Sequence, residues 1–459
     1  MNIETIETLV EKWLNLNPKE SEADLNAKFT NHIWDLLGYH FNVAPNISPG
    51  MKPDYVLFDE NNFPLLVVET KKRSPELAVP EGINFIKTCE QHNYYKQAWG
   101  CPSLPGNNGI FQYLSVKDNP AKYGLIFNGD FWQLFRKVDG LIIPLTEVQK
   151  VTAETLSRLI KQLQHYLQNP NKAFVVSMWN RKGGVSKTTN IINIAAVLSD
   201  MGKKILIADF DPQTDLTKSL GLNPEKYTNK LLDCLDSLQK DEAEETKIQL
   251  QDLIQKQQFD IGKTGKYFID ILPGHKETLE KFSENEGDNA YQMTNKPTAI
   301  KRLLSYIAQD YDYIFLDTSP KADMLTVCSL FAADGVIIPS DYDPETLRHA
   351  CHINIDIIPK IRSQRDQKKS LIDDNYPRVL GLVFSNCPDM GVKLKKQVKD
   401  YLAKFSLNIY QTELRHYQAT VLAKFHRKPV VFHSPKSEIS KQYIALTKEI
   451  FFSNRLLTA

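Results

Sequence analysis

The chain has 459 residues, of which 42% are hydrophobic and 24% charged, a composition typical of globular proteins. This length excludes a single small domain and favours two or three. No run of 18 apolar residues and no basic, apolar leader pattern occurs, so the sequence predicts a cytoplasmic protein without a membrane partner. The six scattered cysteines favour neither a zinc site nor a disulfide scaffold.

Charge is unevenly distributed along the chain, although 56 Lys and Arg almost balance 55 Asp and Glu. Residues 1–150 contain 14 basic and 18 acidic residues, a net charge of −4. Residues 391–441 contain 11 basic and 3 acidic residues, a net charge of +8. A local excess of positive charge like the second is what a polyanionic partner requires.

Residues 1–150 are predicted to form a mixed α/β domain built on hairpins. Leu25, Phe29, Ile33 and Leu36 recur at steps of three and four, which predicts an amphipathic helix that ends before Gly38. The other predicted elements are strands at 53–59 and 65–71, a helix at 83–98 and a hairpin that turns at Asn128-Gly129. Residues 151–171 are predicted to be a connecting helix and a linker.

Residues 172–459 alternate between apolar runs and helical stretches. The predicted strands lie at 174–179, 204–209, 268–272, 313–317, 335–339 and 379–385, and helices are predicted at 187–201, 323–332 and 391–404. This alternation predicts a parallel sheet covered on both faces, with ligands at the carboxyl ends of its strands. The charged span 237–257 is predicted to be a surface helix.

A phosphate-binding motif, NRKGGVSKTT, follows the first of these strands directly and opens a helix. Glycine lets backbone N–H groups approach phosphate oxygens, Lys187 can reach the β and γ phosphates, and the Thr188 hydroxyl can bind Mg²⁺. The predicted nucleotide contacts are Lys182, Gly183, Gly184, Val185, Ser186, Lys187, Thr188 and Thr189.

A second lysine, Lys182, stands directly before the two glycines. With it the motif resembles the deviant Walker A motif, KGGxxK[ST], of the ParA and MinD ATPase family. The resemblance implies ATP and Mg²⁺ as cofactors and a homodimer that sandwiches the nucleotides. In that dimer Lys182 would contact the partner's phosphates and act in catalysis together with Lys187.

Further segments resemble this family in the same order along the chain. ILIADFDPQTDLT resembles its switch I, which implies that Asp211 orients the attacking water, with Asp209 behind it. YDYIFLDTSPKAD resembles Walker B and switch II and implies that Asp317 holds magnesium through a water, although DTSP departs from the family's DxPP. By position, Asn386 corresponds to the residue that reads adenine.

Eight basic residues near the carboxyl end are predicted to bind DNA phosphates without reading sequence. A solvated helix face would produce the same lysine pattern, but the ParA resemblance favours nonspecific DNA and localisation to the nucleoid. It also implies a ParB-like activating partner. The residues are Lys393, Lys395, Lys396, Lys399, Arg415, Lys424, Arg427 and Lys428.

Pro53-Asp54 and Glu69-Thr70-Lys71 lie on neighbouring predicted strands of the amino-terminal block. Two carboxylates at adjacent strand ends can hold a divalent cation, and a nearby lysine can assist a hydrolytic water. Together with Glu22, a QxxxY arrangement formed by Gln91 and Tyr95, and IFNGDFWQLF, the pattern resembles the nuclease region of type I restriction subunits, in the PD-(D/E)xK superfamily.

This second resemblance implies that Asp54 and Glu69 bind Mg²⁺ or Mn²⁺ and that Lys71 is catalytic. Glu22 would be an accessory carboxylate, and Gln91 and Tyr95 would support the site. A degenerate nuclease fold that only grips a partner would give the same pattern.

The predicted architecture is therefore α/β, with a restriction-endonuclease-like domain at 1–150 followed by a parallel-sheet, ParA-like P-loop domain at 172–459. Two functions remain open. In the first, the ATPase partitions a plasmid or positions a cargo, and the nuclease-like domain is an adaptor. In the second, the ATPase gates a metal-dependent endonuclease in defence or DNA processing.

Overall fold

The computed structural model describes residues 3–73, 109–116, 119–169, 172–240, 242–261, 265–284, 296–367, 376–388, 391–453 and 455–456. The predicted helix 83–98, with Gln91 and Tyr95, lies outside the described residues. The chain divides into two compact units. The first comprises 1–170, 369–375 and 451–459, and the second comprises 171–368 and 376–450.

The described strands fall into two sheets, one in each unit. In chain order they are β1 (His40–Val43), β2 (Tyr55–Phe58), β3 (Pro64–Thr70), β4 (Tyr123–Phe127), β5 (Phe131–Val138), β6 (Leu141–Pro144), β7 (Gln149–Lys150), β8 (Phe174–Met178), β9 (Ile205–Phe210), β10 (Gln255–Ile261), β11 (Gly265–Leu272), β12 (Tyr313–Thr318), β13 (Gly335–Ser340), β14 (Arg378–Phe384) and β15 (Arg455–Leu456).

The helices are identified below by their bounds. The α-helices of the described chain are Ile3–Leu14, Glu22–Leu25, Asn31–Leu37, Ile110–Ser115, Ala153–Gln168, Lys187–Asp200, Asp215–Ser219, Lys230–Gln239, Ala243–Leu253, Lys276–Glu284, Ala299–Ser305, Met324–Ala332, Pro344–His352, Ile358–Gln367, Val392–Ala403, Gln418–Phe425, Val430–His433 and Glu438–Phe451. Short π-helical segments occur at Asn26–Thr30 and Ile353–Ile357, and 3₁₀ segments at Pro224–Tyr227 and Lys296–Thr298.

In the first unit, the described strands form a sheet in the order β1-β2-β3-β4-β5-β6-β15, with β7 paired to β5. β2 and β3 are antiparallel, whereas β3 and β4 are parallel. The predicted hairpin turn joins β4 to β5, where Gly129 has a φ of +85° that favours glycine. The Asn128 side chain stabilises this turn by accepting from the Asp130 and Phe131 amides at 3.0 and 2.7 Å.

The predicted helix 22–37 contains a π-helical segment in its middle, Asn26–Thr30, and ends at Gly38 with a φ of +73°. Leu25, Phe29 and Ile33 are fully buried, whereas Leu36 is only partly buried. Ser21 caps the amino end, where its hydroxyl accepts from the Asp24 amide at 3.1 Å. The cap places Glu22 in the first turn.

In the second unit, the described strands form a sheet in the order β10-β11-β9-β12-β8-β13-β14. The α/β class is confirmed, and neighbouring strands from β11 through β14 in this order are parallel. β10, however, runs antiparallel to β11, so the sheet is mixed rather than wholly parallel. β8 lies between β12 and β13, which brings the carboxyl ends of all three strands together.

The prediction of a single surface helix at 237–257 is wrong. That span holds the end of the helix Lys230–Gln239, the helix Ala243–Leu253 and the start of β10. Leu250 and Leu253 are buried in the core of the second unit, so the second helix packs against the unit rather than standing in solvent. Charged residues conceal this because they occupy only the outer face.

Among the helices of the described residues, none is long and apolar enough to cross a membrane.

Candidate nucleotide and metal sites

The loop between β8 and the helix Lys187–Asp200 is held at its base by two buried side chains. The Trp179 Nε1 donates to the Ser319 carbonyl at 3.0 Å, and the Asn180 Nδ2 donates to the Pro339 carbonyl at 2.9 Å. Gly184 and Ser186 then adopt left-handed conformations, with φ of +77° and +65°. This local path leads into the helix amino terminus, which favours an anion.

Lys187 and Thr188 begin the helix beside the end of β12. Lys187 is largely buried, and burial lowers the pKa of Lys187 against the opposing effect of the Asp317 and Asp211 carboxylates. The Thr188 Oγ1 donates to the Asp317 Oδ2 at 2.7 Å. A hydroxyl and a carboxylate, both of which are oxygen ligands of the kind Mg²⁺ accepts, are therefore in direct contact.

Asp317 meets the requirements of a magnesium site. It is fully buried, and within the described part of the chain its Oδ1 has no hydrogen-bond partner. Burial and the neighbouring Asp209 raise the pKa of Asp317 well above its usual range. A divalent cation beside it would offset this cost, so Thr188 and Asp317 fit Mg²⁺.

Asp209 and Asp211, at the end of β9, have different environments. The Asp209 Oδ2 accepts from the amide and hydroxyl of Thr217 at 2.9 and 2.6 Å, and burial raises the pKa of Asp209 to about 6. A Cβ at Gly274 would lie 2.8 Å from the Asp209 carbonyl oxygen, so only glycine fits there. Asp211 instead lines an open cleft, where a ligand can reach it, whereas Asp209 is buried behind it.

Lys182 is paired within its own chain. Its Nζ lies 3.1 Å from the Asp341 Oδ2 and 3.5 Å from the Asp343 Oδ1, both directly after β13. The sequence does not reveal these acids as partners of Lys182, because their approach depends on β13 lying beside β8. No local spacing signals that pairing.

The cleft in front of the loop has a volume of about 550 Å³. It is lined by Gly183, Gly184, Ser186, Lys187, Thr188, Thr189, Ile192, Asn193, Asp211, Gln213, Asp215, Ser219, Pro320, Thr420, Ala423, Lys424, Lys428 and Val430. Lys182 is not among these residues, and Val185 is buried.

A smaller pocket of about 220 Å³ shares Ser186, Thr189, Thr420 and Lys424 with this cleft. Asn386 lines it, together with Arg415 and His416, and the Asn386 Oδ1 lies 3.1 Å from the His416 Nδ1. Two connected cavities, one rich in phosphate-binding groups and one with a side-chain amide, have the layout that a nucleoside polyphosphate requires.

Two asparagines of the helix Lys187–Asp200 tie this site to the carboxyl-terminal segment. The Asn193 Oδ1 accepts from the Val430 amide at 2.7 Å. The Asn190 Nδ2 donates to the Ser385 Oγ at 2.7 Å, and its Oδ1 accepts from the Tyr443 hydroxyl at 3.0 Å. The sequence reveals neither role, since an asparagine within a helix carries no signal of a distant partner.

The lysines of the helix Val392–Ala403 differ in their contacts. Lys395 and Lys399 pair with Glu413, whereas Lys393 and Lys396 are exposed. Glu413 also accepts from the Tyr342 hydroxyl at 2.6 Å. Burial raises the pKa of Glu413, but the hydrogen bonds from Lys395 and Tyr342 outweigh it and the net pKa is lowered.

The other basic residues predicted to bind DNA lie nearer the two cavities. Arg415 and Lys424 line the smaller pocket, and Lys424 and Lys428 line the larger cleft. Arg427 has a φ of +53°, and its side chain lies next to Gly221. The eight residues therefore do not form one uniform group.

In the first unit, four predicted residues of the nuclease-like pattern are brought together. The Lys71 Nζ donates to the Glu69 Oε1 at 2.6 Å and lies 3.7 Å from the Glu22 Oε2. The Asp54 Oδ2 accepts from the Thr70 amide at 2.6 Å and from its hydroxyl at 2.9 Å. We refer to Glu22, Asp54, Glu69 and Lys71 as the acidic cluster.

Burial dominates the electrostatics of this cluster. It raises the pKa of Glu69 to about 8, although the Lys71 ammonium opposes the shift, and the Asp54 and Glu22 charges add to it. Burial likewise raises the pKa of Glu22. Tyr113, which the sequence analysis missed, lies beside Glu69, and burial followed by the Glu69 charge raises the pKa of Tyr113.

The acidic cluster contains carboxylates of the kind that bind hard divalent cations, but it does not contain a complete set of metal ligands. Across the described residues, no three or more His, Cys, Asp or Glu side chains are grouped closely enough to hold a metal. Lys71 supplies the positive charge instead. Asp54 and Glu69 nevertheless fit two ligands of a divalent cation, because a cation would offset the cost of a buried Glu69 charge, which is the main cause of its raised pKa.

Comparison with known proteins bears on the phosphate-binding loop and its sheet. Residues 173–370 match the family model described as an AAA domain. Soj, the sporulation initiation inhibitor protein of Bacillus subtilis, is 26% identical over 277 residues, which are 60% of this chain and 97% of Soj. These matches support a ParA-family P-loop ATPase segment in this chain.

A second relative of the ParA-family segment is the chromosome partitioning protein ParA of Myxococcus xanthus. It is 25% identical over 280 residues, 60% of this chain and 87% of that protein. Among solved structures, the ATP complex of a Cyanothece McdA variant is 17% identical with a TM-score of 0.46, covering 61% of this chain and 96% of McdA. The two sequence relatives, together with the AAA-domain match, support ATPase activity.

Proposed function

We propose that the chain is a ParA-type ATPase that forms an ATP-dependent dimer, binds DNA without sequence preference and partitions or positions a DNA cargo. One observation carries the proposal. The phosphate-binding loop presents Lys187 and Thr188 to an open cleft, with Asp317 in contact with Thr188 and Asp211 on the cleft wall. Phosphate, magnesium and water each have a suitable side chain within this one site.

In this proposal Lys187 binds the β and γ phosphates, because a compact ammonium matches their charge. Thr188 and Asp317 hold Mg²⁺, which neutralises charge on the phosphate oxygens when bound. Asp211 orients the attacking water and accepts its hydrogen bond. Asn386 contacts the base from the smaller pocket.

Lys182 contacts the nucleotide phosphates that are bound to the second copy of the chain. Within its own chain it pairs with Asp341 and Asp343, so it must leave these acids to reach a partner's phosphates. A triphosphate attracts the lysine more strongly than two half-exposed carboxylates, which gives ATP a differential affinity for the dimer. ATP therefore promotes association.

The partition role rests on the relatives' names and on the basic stretch. One relative is named as a chromosome partitioning protein. In this chain Lys393 and Lys396 are exposed on one helix, where DNA phosphates can reach them. The proposal includes nucleoid association and an activating partner of the ParB type.

Purified protein tests this proposal directly. With ATP and Mg²⁺ it should hydrolyse ATP and retain plasmid and unrelated linear DNA equally on a filter, and ADP should reduce retention. Thr188→Ala should abolish both properties, because it removes the hydroxyl that contacts Asp317. Equal retention by the Thr188→Ala protein would contradict ATP-dependent DNA binding.

A second function, metal-dependent DNA cleavage, is favoured by the acidic cluster. Glu22, Asp54 and the pair Glu69 and Lys71 belong to three separate segments of the chain yet lie together, which is unusual for solvated surface charges. In this role Asp54 and Glu69 hold Mg²⁺ or Mn²⁺ and Lys71 assists the water that attacks phosphate. Cleavage would be gated by the ATPase.

Plasmid nicking separates this function from an adaptor role. The unmodified chain should convert supercoiled plasmid to the open circle with Mg²⁺ or Mn²⁺, faster with ATP. Glu69→Ala should abolish nicking and leave ATP hydrolysis intact. If Glu69→Ala protein nicks as fast as the unmodified chain, cleavage lies elsewhere or is contamination, and the domain is an adaptor.

A further inference from the structure

Two lysines of the basic stretch face the nucleotide cleft. Lys424 and Lys428 line the 550 Å³ cleft together with the phosphate-binding loop, Asp211 and Gln213. Lys424 also lines the smaller pocket that contains Asn386. It therefore lies at the junction of the two cavities, whereas Lys428 borders only the larger one.

The backbone fixes both lysines at this cleft. The helix Gln418–Phe425 ends there, and the positive φ of Arg427 reverses the chain so that the Lys428 amide donates to the Ala423 carbonyl at 3.1 Å. Two residues later, the Val430 amide donates to Asn193, which belongs to the helix of the phosphate-binding loop. These hydrogen bonds anchor the segment that carries both lysines to the helix of the phosphate-binding loop.

Their charge is not neutralised within the protein. Throughout the described chain, neither Lys424 nor Lys428 has an ion-pair partner, in contrast to Lys395 and Lys399, which share Glu413. Both face a cleft that already contains Lys187. Three ammonium groups that face one cleft repel one another, and a polyphosphate would relieve that repulsion.

We infer that Lys424 and Lys428 bind the phosphates of the nucleotide rather than DNA. The inference rests on the proposed ATPase function and adds to it a second set of phosphate ligands from the carboxyl-terminal segment. Lys424, at the junction of the cavities, contacts the phosphate nearest the ribose. Lys428 contacts the distal phosphates beside Lys187.

Titration with fluorescently labelled ADP and Mg²⁺, in the absence of DNA, tests the inference. Lys424→Ala and Lys428→Ala should each weaken ADP binding about tenfold, the usual effect of losing a charged hydrogen bond. Lys424→Arg should retain affinity within about threefold, since the charge remains. Lys424 and Lys428 are exposed, so we expect each variant to fold. A circular dichroism spectrum identical to that of the unmodified chain would show that it does.

Lys393→Ala and Lys396→Ala serve as matched controls, because these lysines are exposed on the helix Val392–Ala403. They should leave ADP affinity unchanged and weaken DNA binding. The inference is overturned if Lys424→Ala and Lys428→Ala bind ADP like the unmodified chain and lose DNA affinity instead. A chain that binds no ADP before substitution would contradict the ATPase proposal itself.

Discussion

At the scale of single residues, Glu69 is a buried carboxyl group whose protonation depends on folding. Burial raises its pKa from the ordinary 4.5 to about 8, despite the Lys71 ammonium. A carboxyl group with a raised pKa in the folded state stabilises the fold below its unfolded pKa. That contribution is lost as pH rises toward 8, because the folded protein must then bury a charge.

Glu69→Gln should remove this pH dependence. Relative to the variant, the unmodified chain should lose free energy of unfolding by about 1.4 kcal/mol per pH unit between pH 5 and 8. Urea unfolding with EDTA, followed by tryptophan fluorescence, measures the difference, because Trp13, Trp34 and Trp132 lie in the first unit. Parallel pH profiles for the two proteins would mean that Glu69 is ionised throughout.

The sequence identified residues whose role follows from local order. The strand, loop and helix around Lys187 are consecutive in the chain, so their chemistry was predictable and their elements agree with the structure. Asp341 and Tyr113 were missed because each meets its partner only through tertiary packing. Some lysines of the basic stretch pair with Glu413 and others line the cleft. Tertiary packing decides this too, and a count of charges does not reveal ion pairs.

At the scale of elements, the loop after β13 restrains Lys182. Asp341 and Asp343 hold the lysine within its own chain, and Asp343 also caps the helix Pro344–His352. Replacing both with Asn keeps the shape and the capping oxygen but removes the negative charge. This substitution therefore isolates the ion pair from the helix cap.

The Asp341→Asn, Asp343→Asn double variant should dimerise at a lower ATP concentration than the unmodified chain. We expect a shift of about fivefold, the scale of a partly exposed ion pair worth about 1 kcal/mol. Sedimentation velocity across an ATP titration measures it. Glu280→Gln, which breaks an exposed pair with Lys276, is the control and should cause no shift. A dimer that requires more ATP in the double variant would show that the acids assist assembly.

The helix Val392–Ala403 is the element from which we expect salt-sensitive DNA binding. Lys393→Glu and Lys396→Glu should weaken binding to every DNA sequence and reduce the slope of log affinity against log salt by about one each. Lys276→Glu, an equally exposed lysine outside the stretch, should change little. Fluorescence anisotropy over a salt series checks this, and a preference for one sequence would contradict phosphate-only contact.

At the scale of the whole molecule, the chain carries two units with separate sheets and cores. The alternation of strands and helices was sufficient to predict the second sheet, because parallel strands are buried on both faces and appear as continuous apolar runs. The edge strand β10 was not predicted, since Gln255, Lys256, Gln257 and Gln258 give it a polar sequence. β10 forms its ladder of hydrogen bonds with β11, and this pairing is visible only in the folded structure.

Light scattering of the Asp211→Ala protein tests the central claim, an ATP-dependent dimer, most directly. This substitution should leave nucleotide binding intact and slow hydrolysis, so ATP and Mg²⁺ should shift the measured mass from one chain to two. Lys187→Ala should remain at one chain. Absorbance would show whether the Asp211→Ala protein carries bound ATP. If it does and its mass is still that of one chain, the claim is contradicted.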